Sequence, residues 1–279
     1  MIDLGEQHYL PLRRNLTEVL HRIRHKQQPR TLWIDALCIN QFDSAEQAQQ
    51  LQLMADIYRG CKSVLVWLGI PTAHSALGME FLSYLANSNI QIDSDSAPWN
   101  HFSPAESRAA LQDILGRPYF QRLWVVQEAA LAPRVVMQVG QLSLEWAHGP
   151  PTRKFLARLK MAELSPSWQH SEELRDGVDS RPLRELLEQS LAADARRSGT
   201  VEVPSLLDVI HSLRHRRVTD PRDQIYAAMS LASPAEVADL VPDYSLSWEG
   251  TYQRFFDLVE RQVRGNPEVT LDEMTRVGG

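Results

Sequence analysis

The sequence predicts an α/β fold, in which a parallel sheet with helices on both faces precedes a mainly α-helical C-terminal part. Two short apolar runs, residues 31–35 and 63–68, are near-continuous rather than alternating, as in strands covered on both faces. About 20 residues with a helical pattern separate them, which makes a βαβ unit with parallel strands. A third apolar run, residues 134–140, extends the pattern.

Helix signals surround these runs in the N-terminal half. Asn15 is a candidate cap for a helix over residues 15–26, whose apolar side chains recur at helical spacing. Asp43 with Glu46 forms an Asp version of the capping box for a second helix, residues 44–59. The predicted buried face of this second helix consists of Leu51, Met54, Ile57 and Tyr58.

Further starts and stops complete the order of elements. Ser103, followed by Pro104 and by Glu106, is a strong helix start, and residues 119–132 predict another helix. More helix starts lie in the C-terminal part, at Ser205, at the sequence DPRD (220–223) and at Ser247. We therefore predict an α/β core over residues 1–147, a polar insertion or linker with one or two helices over 148–204, helices over 205–265 and a frayed tail over 266–279.

Composition narrows the functional classes. The 279 residues are 43% hydrophobic and 23% charged, as in ordinary globular proteins, and the net charge of −6 argues against general nucleic-acid binding. The longest clean apolar run, Val64 to Leu68, is too short to span a membrane. Two cysteines indicate a reducing, cytoplasmic setting. No glycine-rich phosphate loop, metal-spaced Cys/His set or G-x-S-x-G elbow is present, so no metal site is predicted.

One set of polar residues follows the first predicted strand. Ligands bind at the carboxyl ends of parallel strands, and Asp35, Asn40 and Gln41 would face a crevice there. In the alternative interpretation, Asp35 and Asn40 hydrogen-bond local backbone in a tight turn. Cys38 is interpreted as a small buried thiol, because no motif places a histidine beside it to activate it as a nucleophile.

A second set of residues lies on the predicted helix 119–132. Trp124 and Glu128 are four residues apart and therefore share a helix face, with Arg122 and Gln127 nearby. A carboxylate beside an indole is partly desolvated, which raises its pKa and suits a general base or a stabiliser of a developing cation. In the alternative interpretation, Glu128 is a rim glutamate paired with Arg122, and Trp124 belongs to the core.

Several long motifs together resemble the HET (heterokaryon incompatibility) domain of filamentous fungi. They are LWIDALCINQ (32–41), QQLQLMADIYRGCKSVLVWLG (49–69), RPYFQRLWVVQEAALAP (117–133), DPRDQIYAAMSLA (220–232) and VPDYSLSWEGTYQRF (241–255). The resemblance implies a module of self/non-self recognition that acts through protein partners or self-association and leads to programmed cell death.

The HET domain is in turn similar to TIR domains, which have a flavodoxin-like fold and in some members cleave NAD⁺. The predicted order of elements, with a W-x-x-x-E motif before the last strand, follows the TIR pattern. This remoter resemblance implies NAD⁺ as a substrate, with Glu128 on the nicotinamide-side ribose. It also places Asp35 and Asn40 in the same crevice and implies an aromatic surface that stacks on a base.

The chain departs from the HET pattern at its start. HET domains usually open with a strand and a β-hairpin, whereas this sequence begins within the hairpin, with Gly5 and Glu6 at its turn. The opening strand is central in a flavodoxin-like order, so we expect either a truncated or divergent member or another segment in that place. Three functions remain open at this point: a signalling module, a Glu128-dependent NAD⁺ glycohydrolase and a degenerate, inactive paralogue.

Overall fold

A small mixed sheet and the helices around it position the candidate site. The computed structural model describes residues 2–3, 9–10, 12, 14–87, 89, 97–199 and 203–265. The strands are β1 (Ile2–Asp3), β2 (Tyr9–Leu10), β3 (Val64–Trp67), β4 (Arg134–Val139) and β5 (Leu142–Ala147). The helices of the first half are α1 (Arg14–Ile23), α2 (Asp35–Cys38), α3 (Ser44–Gly60), α4 (Ser75–Asn87), α5 (Pro104–Leu115) and α6 (Trp124–Leu131).

Helices also make up the second half. They are α7 (Pro150–Leu164), α8 (Pro166–Gln169), α9 (Glu172–Arg175), α10 (Arg181–Arg197), α11 (Leu206–Leu213), α12 (Asp223–Met229), α13 (Pro234–Val237) and α14 (Trp248–Gly265). The predicted starts at Ser205 and Ser247 are confirmed, and the Ser205 side chain caps α11 together with Asp208. The predicted frayed tail, residues 266–279, lies outside the described residues.

The sheet order is β3-β4-β5. β3 and β4 are parallel, with Val64 opposite Val135, as the sequence predicts for these two runs. β4 and β5 form an antiparallel hairpin in which Arg134 lies opposite Ala147. The flavodoxin-like, fully parallel core is therefore not confirmed, and the described residues form a three-stranded mixed sheet instead.

The predicted strand over residues 31–35 is wrong. Ile34 is extended, but residues 30–34 pair with no strand in the described chain, and Asp35 already begins α2. The carbonyl of Ile34 accepts from the backbone of Leu37 and Cys38 at 2.9 and 2.8 Å, so the chain turns into a helix where a strand was expected to end. Trp33 packs edge-on against Tyr58, with ring centroids 5.9 Å apart. Side-chain docking thus holds this apolar run without a strand ladder.

A short antiparallel pair precedes α1. β1 and β2 are hydrogen-bonded with Ile2 opposite Leu10, in agreement with the predicted hairpin, whose turn at Gly5 and Glu6 lies outside the described residues.

Local capping explains where α3 and α5 begin. The Asp43 side chain accepts from the backbone of Ala45 and Glu46, at 2.9 and 3.1 Å. Ser103 and Glu106 complete the predicted reciprocal capping box at the start of α5. These local signals depend on four or five consecutive residues, so the sequence shows them directly.

The segment 148–204, predicted as a polar insertion or linker, forms α7 to α10. Its apolar residues join the same core as the sheet. Phe155, Leu183 and Leu187 are fully buried. α7 packs on α4, and α10 packs on α6. Many of the polar residues that suggested a linker are exposed on these helices, whereas Thr152, Arg158 and Ser190 are buried. Within the described ranges, no helix is long and apolar enough to cross a membrane.

Candidate functional site

A cleft of about 440 Å³ opens between α2, α3, α6 and the start of α12. It is lined by Asp35, Ile39, Gln41, Phe42, Ser44, Gln47, Leu51, Met54, Arg122, Trp124, Glu128, Asp220, Arg222, Asp223 and Tyr244. Helices and a loop form it, rather than the carboxyl ends of two parallel strands, because residues 31–35 are not a strand. Two sequence segments predicted to be functional nevertheless meet in it.

The loop after α2 supplies one wall. Asp35 and Gln41 line the cleft, and Gln41 is held there because its amide nitrogen donates to the Asp35 carbonyl at 3.1 Å. Asn40 does not line the cleft. Its side chain accepts from the backbone of Phe42 at 3.1 Å, and its own backbone nitrogen donates to Glu46 at 2.9 Å. For Asn40, the interpretation as a local turn residue therefore describes the geometry.

Glu128 projects from α6 into the cleft. Burial raises the pKa of its carboxyl group to about 7, the Arg122 charge opposes this, and the Asp35 charge adds to it. The carboxyl group forms no hydrogen bond or ion pair within the described ranges, so it is not locked to Arg122. A desolvated, unpaired carboxyl group can exchange a proton near neutral pH and stabilise a neighbouring positive charge.

Two phenols lie close enough to Glu128 to respond to its charge. Burial and then the Glu128 charge raise the pKa of both Tyr58 and Tyr119. The Tyr119 hydroxyl is buried and has no hydrogen-bond partner in the described structure. Both groups therefore stay protonated beside a carboxyl group that titrates near pH 7.

Trp124 shares the cleft with Glu128 but bonds to a residue that the sequence interpretation missed. Its indole nitrogen donates to Asp223 at 3.0 Å, and the Tyr244 hydroxyl donates to the same carboxylate at 2.6 Å. Burial raises the pKa of Asp223, and these two hydrogen bonds oppose the shift. Asp223 was interpreted only as part of a helix start. Its partnership with Trp124 spans 99 residues, so no local signal identifies it.

Arg122 lies at the exposed edge of the cleft. Its guanidinium group has no hydrogen-bond or ion-pair partner among the residues described, whereas Arg222 on the opposite wall is paired with Asp220 at 2.5 Å. An unpaired guanidinium beside a cleft is suited to an anionic group such as phosphate.

Cys38 is exposed at the end of α2, so the prediction of a buried thiol is wrong. No residue of α2 is buried, so this short helix lies on the surface and its last residue, Cys38, is exposed with it. No group of three His, Cys, Asp or Glu side chains in the described part of the chain is arranged to hold a metal ion.

A larger groove, of about 770 Å³, lies between α5, α8, α9 and α10. Its arginines are each paired with a carboxylate: Arg175 with Asp176, Arg181 with Asp179 and Arg184 with Glu163. The groove therefore offers fewer free charged groups to a ligand than the cleft around Glu128, which is the better candidate site.

Comparison with known proteins relates the N-terminal part of the chain to a known family. Residues 2–128 match the sequence profile described as Heterokaryon incompatibility protein (HET). Residues 2–128, a little under half of the chain, are thus similar to HET-domain proteins. The matched region includes Asp35, Gln41, Arg122, Trp124 and Glu128, and it ends before the part of the cleft that α12 and Tyr244 supply.

A fungal relative extends the similarity beyond the matched region. The chain is 24% identical over 267 residues to a Neurospora crassa protein named Heterokaryon incompatibility protein 6, OR allele. The similarity covers 84% of this chain and 39% of the relative, so the chain spans about two fifths of that protein's length. No solved structure matches the chain.

Proposed function

We propose that this protein is a HET-domain signalling module of heterokaryon incompatibility. It takes part in self/non-self recognition and leads to programmed cell death through protein partners or self-association. The match of residues 2–128 to the HET family carries this proposal, and the name of the Neurospora relative supports it.

Expression in a filamentous fungus tests the signalling proposal. We expect inducible expression of the chain to arrest growth and kill cells, and Leu183→Ala, which opens a cavity in the core, to weaken the effect in proportion to the loss of folded protein. Light scattering of the purified protein measures self-association. Normal growth at an expression level confirmed by immunoblot would contradict the proposal.

A second function, hydrolysis of NAD⁺, is favoured by the state of Glu128. In this reaction the bond between nicotinamide and ribose breaks, and nicotinamide leaves as a neutral base with the electron pair. Water adds to the ribose C1′ and gives ADP-ribose and a proton. The Glu128 carboxylate stabilises the positive charge on the ribose and takes the proton from the attacking water, as a carboxylate with a pKa of about 7 can do.

The other cleft residues have matching roles in this proposal. The Arg122 guanidinium suits the pyrophosphate, and the side-chain oxygen atoms of Asp35 and Gln41 suit hydrogen bonds from ribose hydroxyl groups. The rings of Trp124 and Tyr244 supply surface for a planar base.

Incubation of the purified protein with NAD⁺ tests this second function. We expect nicotinamide release that falls about 100-fold or more in Glu128→Gln, since that is the typical loss for a general base. Glu80→Gln, which changes an exposed glutamate of α4, is the matched control. Equal release by wild type and Glu128→Gln would remove Glu128 from the mechanism.

The same assay separates the remaining alternatives. NAD⁺ that stays intact, combined with cell death on expression, supports signalling by binding alone. A protein that neither consumes NAD⁺ nor affects growth is a degenerate paralogue.

A further inference from the structure

Asp223 joins two aromatic side chains across the cleft. We infer that Asp223 is a positioning residue, whose carboxylate holds the Trp124 indole and the Tyr244 ring as walls for a planar ring of the ligand. The choice of a nucleotide as the ligand rests on the proposed NAD⁺ function, whereas the positioning itself rests on the contacts below.

The carboxylate of Asp223 uses a different oxygen for each partner. Oδ2 accepts from the Trp124 indole nitrogen at 3.0 Å, and Oδ1 accepts from the Tyr244 hydroxyl at 2.6 Å. All three residues line the cleft and are only partly buried. Trp99, Trp146 and Trp168 are buried in the core, whereas Trp124 is only partly buried. The hydrogen bond therefore fixes the Trp124 indole while part of it stays accessible.

Arg222 supports the Tyr244 wall from the neighbouring position. Its guanidinium carbon lies 5.0 Å from the centre of the Tyr244 ring, and Nη1 donates to the Tyr244 carbonyl at 2.8 Å. The same nitrogen donates to the Leu246 carbonyl at 2.5 Å, and Asp220 pairs with the guanidinium. The segment that carries Tyr244 is therefore fixed against the start of α12.

Backbone hydrogen bonds tie the Trp124 side to the same region. The Leu123 nitrogen donates to the Arg217 carbonyl at 3.0 Å, and the Arg217 nitrogen donates to the Gln121 carbonyl at 2.7 Å. These bonds flank Arg122 and immediately precede Trp124. Residues of two segments thus form the cleft: the HET-matched region and a segment that lies about 90 residues beyond its end. The Asp223 side chain links the two segments.

The indole environment can be measured without catalysis. The chain has seven tryptophans, which can be labelled with 5-fluorotryptophan, and Trp124→Phe assigns the Trp124 resonance in the ¹⁹F spectrum. We expect Asp223→Asn to shift or broaden this resonance while the others stay in place. NAD⁺ binding, measured by calorimetry, should weaken about tenfold, because one carboxylate oxygen becomes an NH₂ group and the remaining hydrogen bond loses its charge. Asp239→Asn, at an exposed position after α13, is the control that should change neither readout.

Tyr244→Phe keeps the ring and removes only the hydroxyl bond, so it tests the link if Asp223→Asn fails to fold. It should weaken NAD⁺ binding and leave the Trp124 resonance near its wild-type position.

A Trp124 resonance unchanged in Asp223→Asn would overturn the inference. A shifted Trp124 resonance in Asp223→Asn with unchanged NAD⁺ binding would also overturn the inference, since Asp223 would then only connect helices. Wild-type protein that binds no NAD⁺ would refute the nucleotide function, and the resonance alone would then decide whether Asp223 fixes the indole.

Discussion

At the scale of single residues, Glu128 combines two features that usually exclude each other. Its carboxyl group is desolvated enough to reach a pKa of about 7, yet it has no hydrogen-bond or ion-pair partner in the described structure. A buried carboxyl group placed only for stability is normally paired, because desolvation without compensation costs free energy. Glu128 therefore costs stability at neutral pH, which is typical of a functional position.

This cost predicts how stability depends on pH. Glu128 titrates near pH 7 when folded and near 4.5 when unfolded, so the free energy of unfolding falls as pH rises between these values and levels off above 7. Glu128→Gln removes this contribution to the pH dependence. Glu128 is partly exposed, which reduces the expected effect. We expect the free energy of unfolding of Glu128→Gln to exceed that of wild type by about 1–2 kcal/mol more at pH 8 than at pH 5.

Urea unfolding at pH 5 and pH 8 measures this difference. Glu80→Gln, on the exposed side of α4, should show the same small effect at both pH values. An equal stability change for Glu128→Gln at both pH values would mean that its carboxyl group is not desolvated.

At the scale of elements, the sequence predicts what neighbouring residues determine and misses what distant residues determine. The Asp43 and Ser103 caps depend on neighbouring residues, and both predictions are confirmed. The run 31–35 has the composition of a buried strand, but strand formation depends on a partner ladder, which the apolar pattern does not reveal. The residues of the cleft also divide into those that a local pattern identifies and those that only distant packing brings there. The W-x-x-x-E spacing identifies Trp124 and Glu128, whereas the contribution of Asp223 depends on how α12 packs.

The predicted order of elements lacks α4 and β5, for opposite reasons. α4 is apolar around much of its circumference, so it lacks the one-sided pattern of a surface helix. β5 does alternate, with Leu144 and Trp146 buried and their neighbours exposed, and this period of two was available in the sequence.

The cap of α3 gives an element-scale prediction. Asp43→Ala removes the acceptor for two backbone N–H groups and should lower the free energy of unfolding by about 1 kcal/mol. Gln49→Ala, on the exposed side of the same helix, should change it by less than about 0.5 kcal/mol. Chemical denaturation measures both. A loss in Asp43→Ala no larger than in Gln49→Ala would show that water caps the helix equally well.

The crossing of α4 and α5 gives a second prediction at the scale of elements, which compares two glycines. A Cβ atom at Gly78 would lie 2.2 Å from the Ala110 carbonyl oxygen, whereas a Cβ at Gly60, in α3, would meet nothing within 4 Å. Gly78→Ala should therefore destabilise by about 1–3 kcal/mol because the two helices must separate. Gly60→Ala should be neutral or stabilise by up to about 1 kcal/mol through helix propensity. Thermal unfolding that ranks the two variants in the reverse order would contradict the close approach of α4 and α5.

At the scale of the whole molecule, a single core crosses the predicted domain boundaries. Side chains of α7, α10 and α11 belong to the same buried cluster as those of the sheet. Ser190, in α10, donates to the Ala129 carbonyl of α6 at 3.1 Å. Arg216 follows α11 and donates to the Phe120 carbonyl at 2.8 Å. The helices of the second half therefore complete the N-terminal part and hold α6, with its Trp124 and Glu128, in place.

This shared core predicts that the first predicted domain does not fold alone. A chain of residues 1–147 would expose the faces of α4 and α6 that α7 and α10 cover, where Phe155, Leu183 and Leu187 are fully buried. Phe155, Leu183 and Leu187 contribute about 1.5–3 kcal/mol each by their burial, so the loss of these three alone is about 4.5–9 kcal/mol, which is comparable with the roughly 5–15 kcal/mol by which domains are stable. The uncovered apolar faces of α4 and α6 add to this loss. We expect this fragment to lack a cooperative thermal transition and dispersed amide resonances, while the full chain unfolds in one transition by circular dichroism and by tryptophan fluorescence. A fragment that melts cooperatively would restore the boundary at residue 147, because α6 would then keep its position without α10.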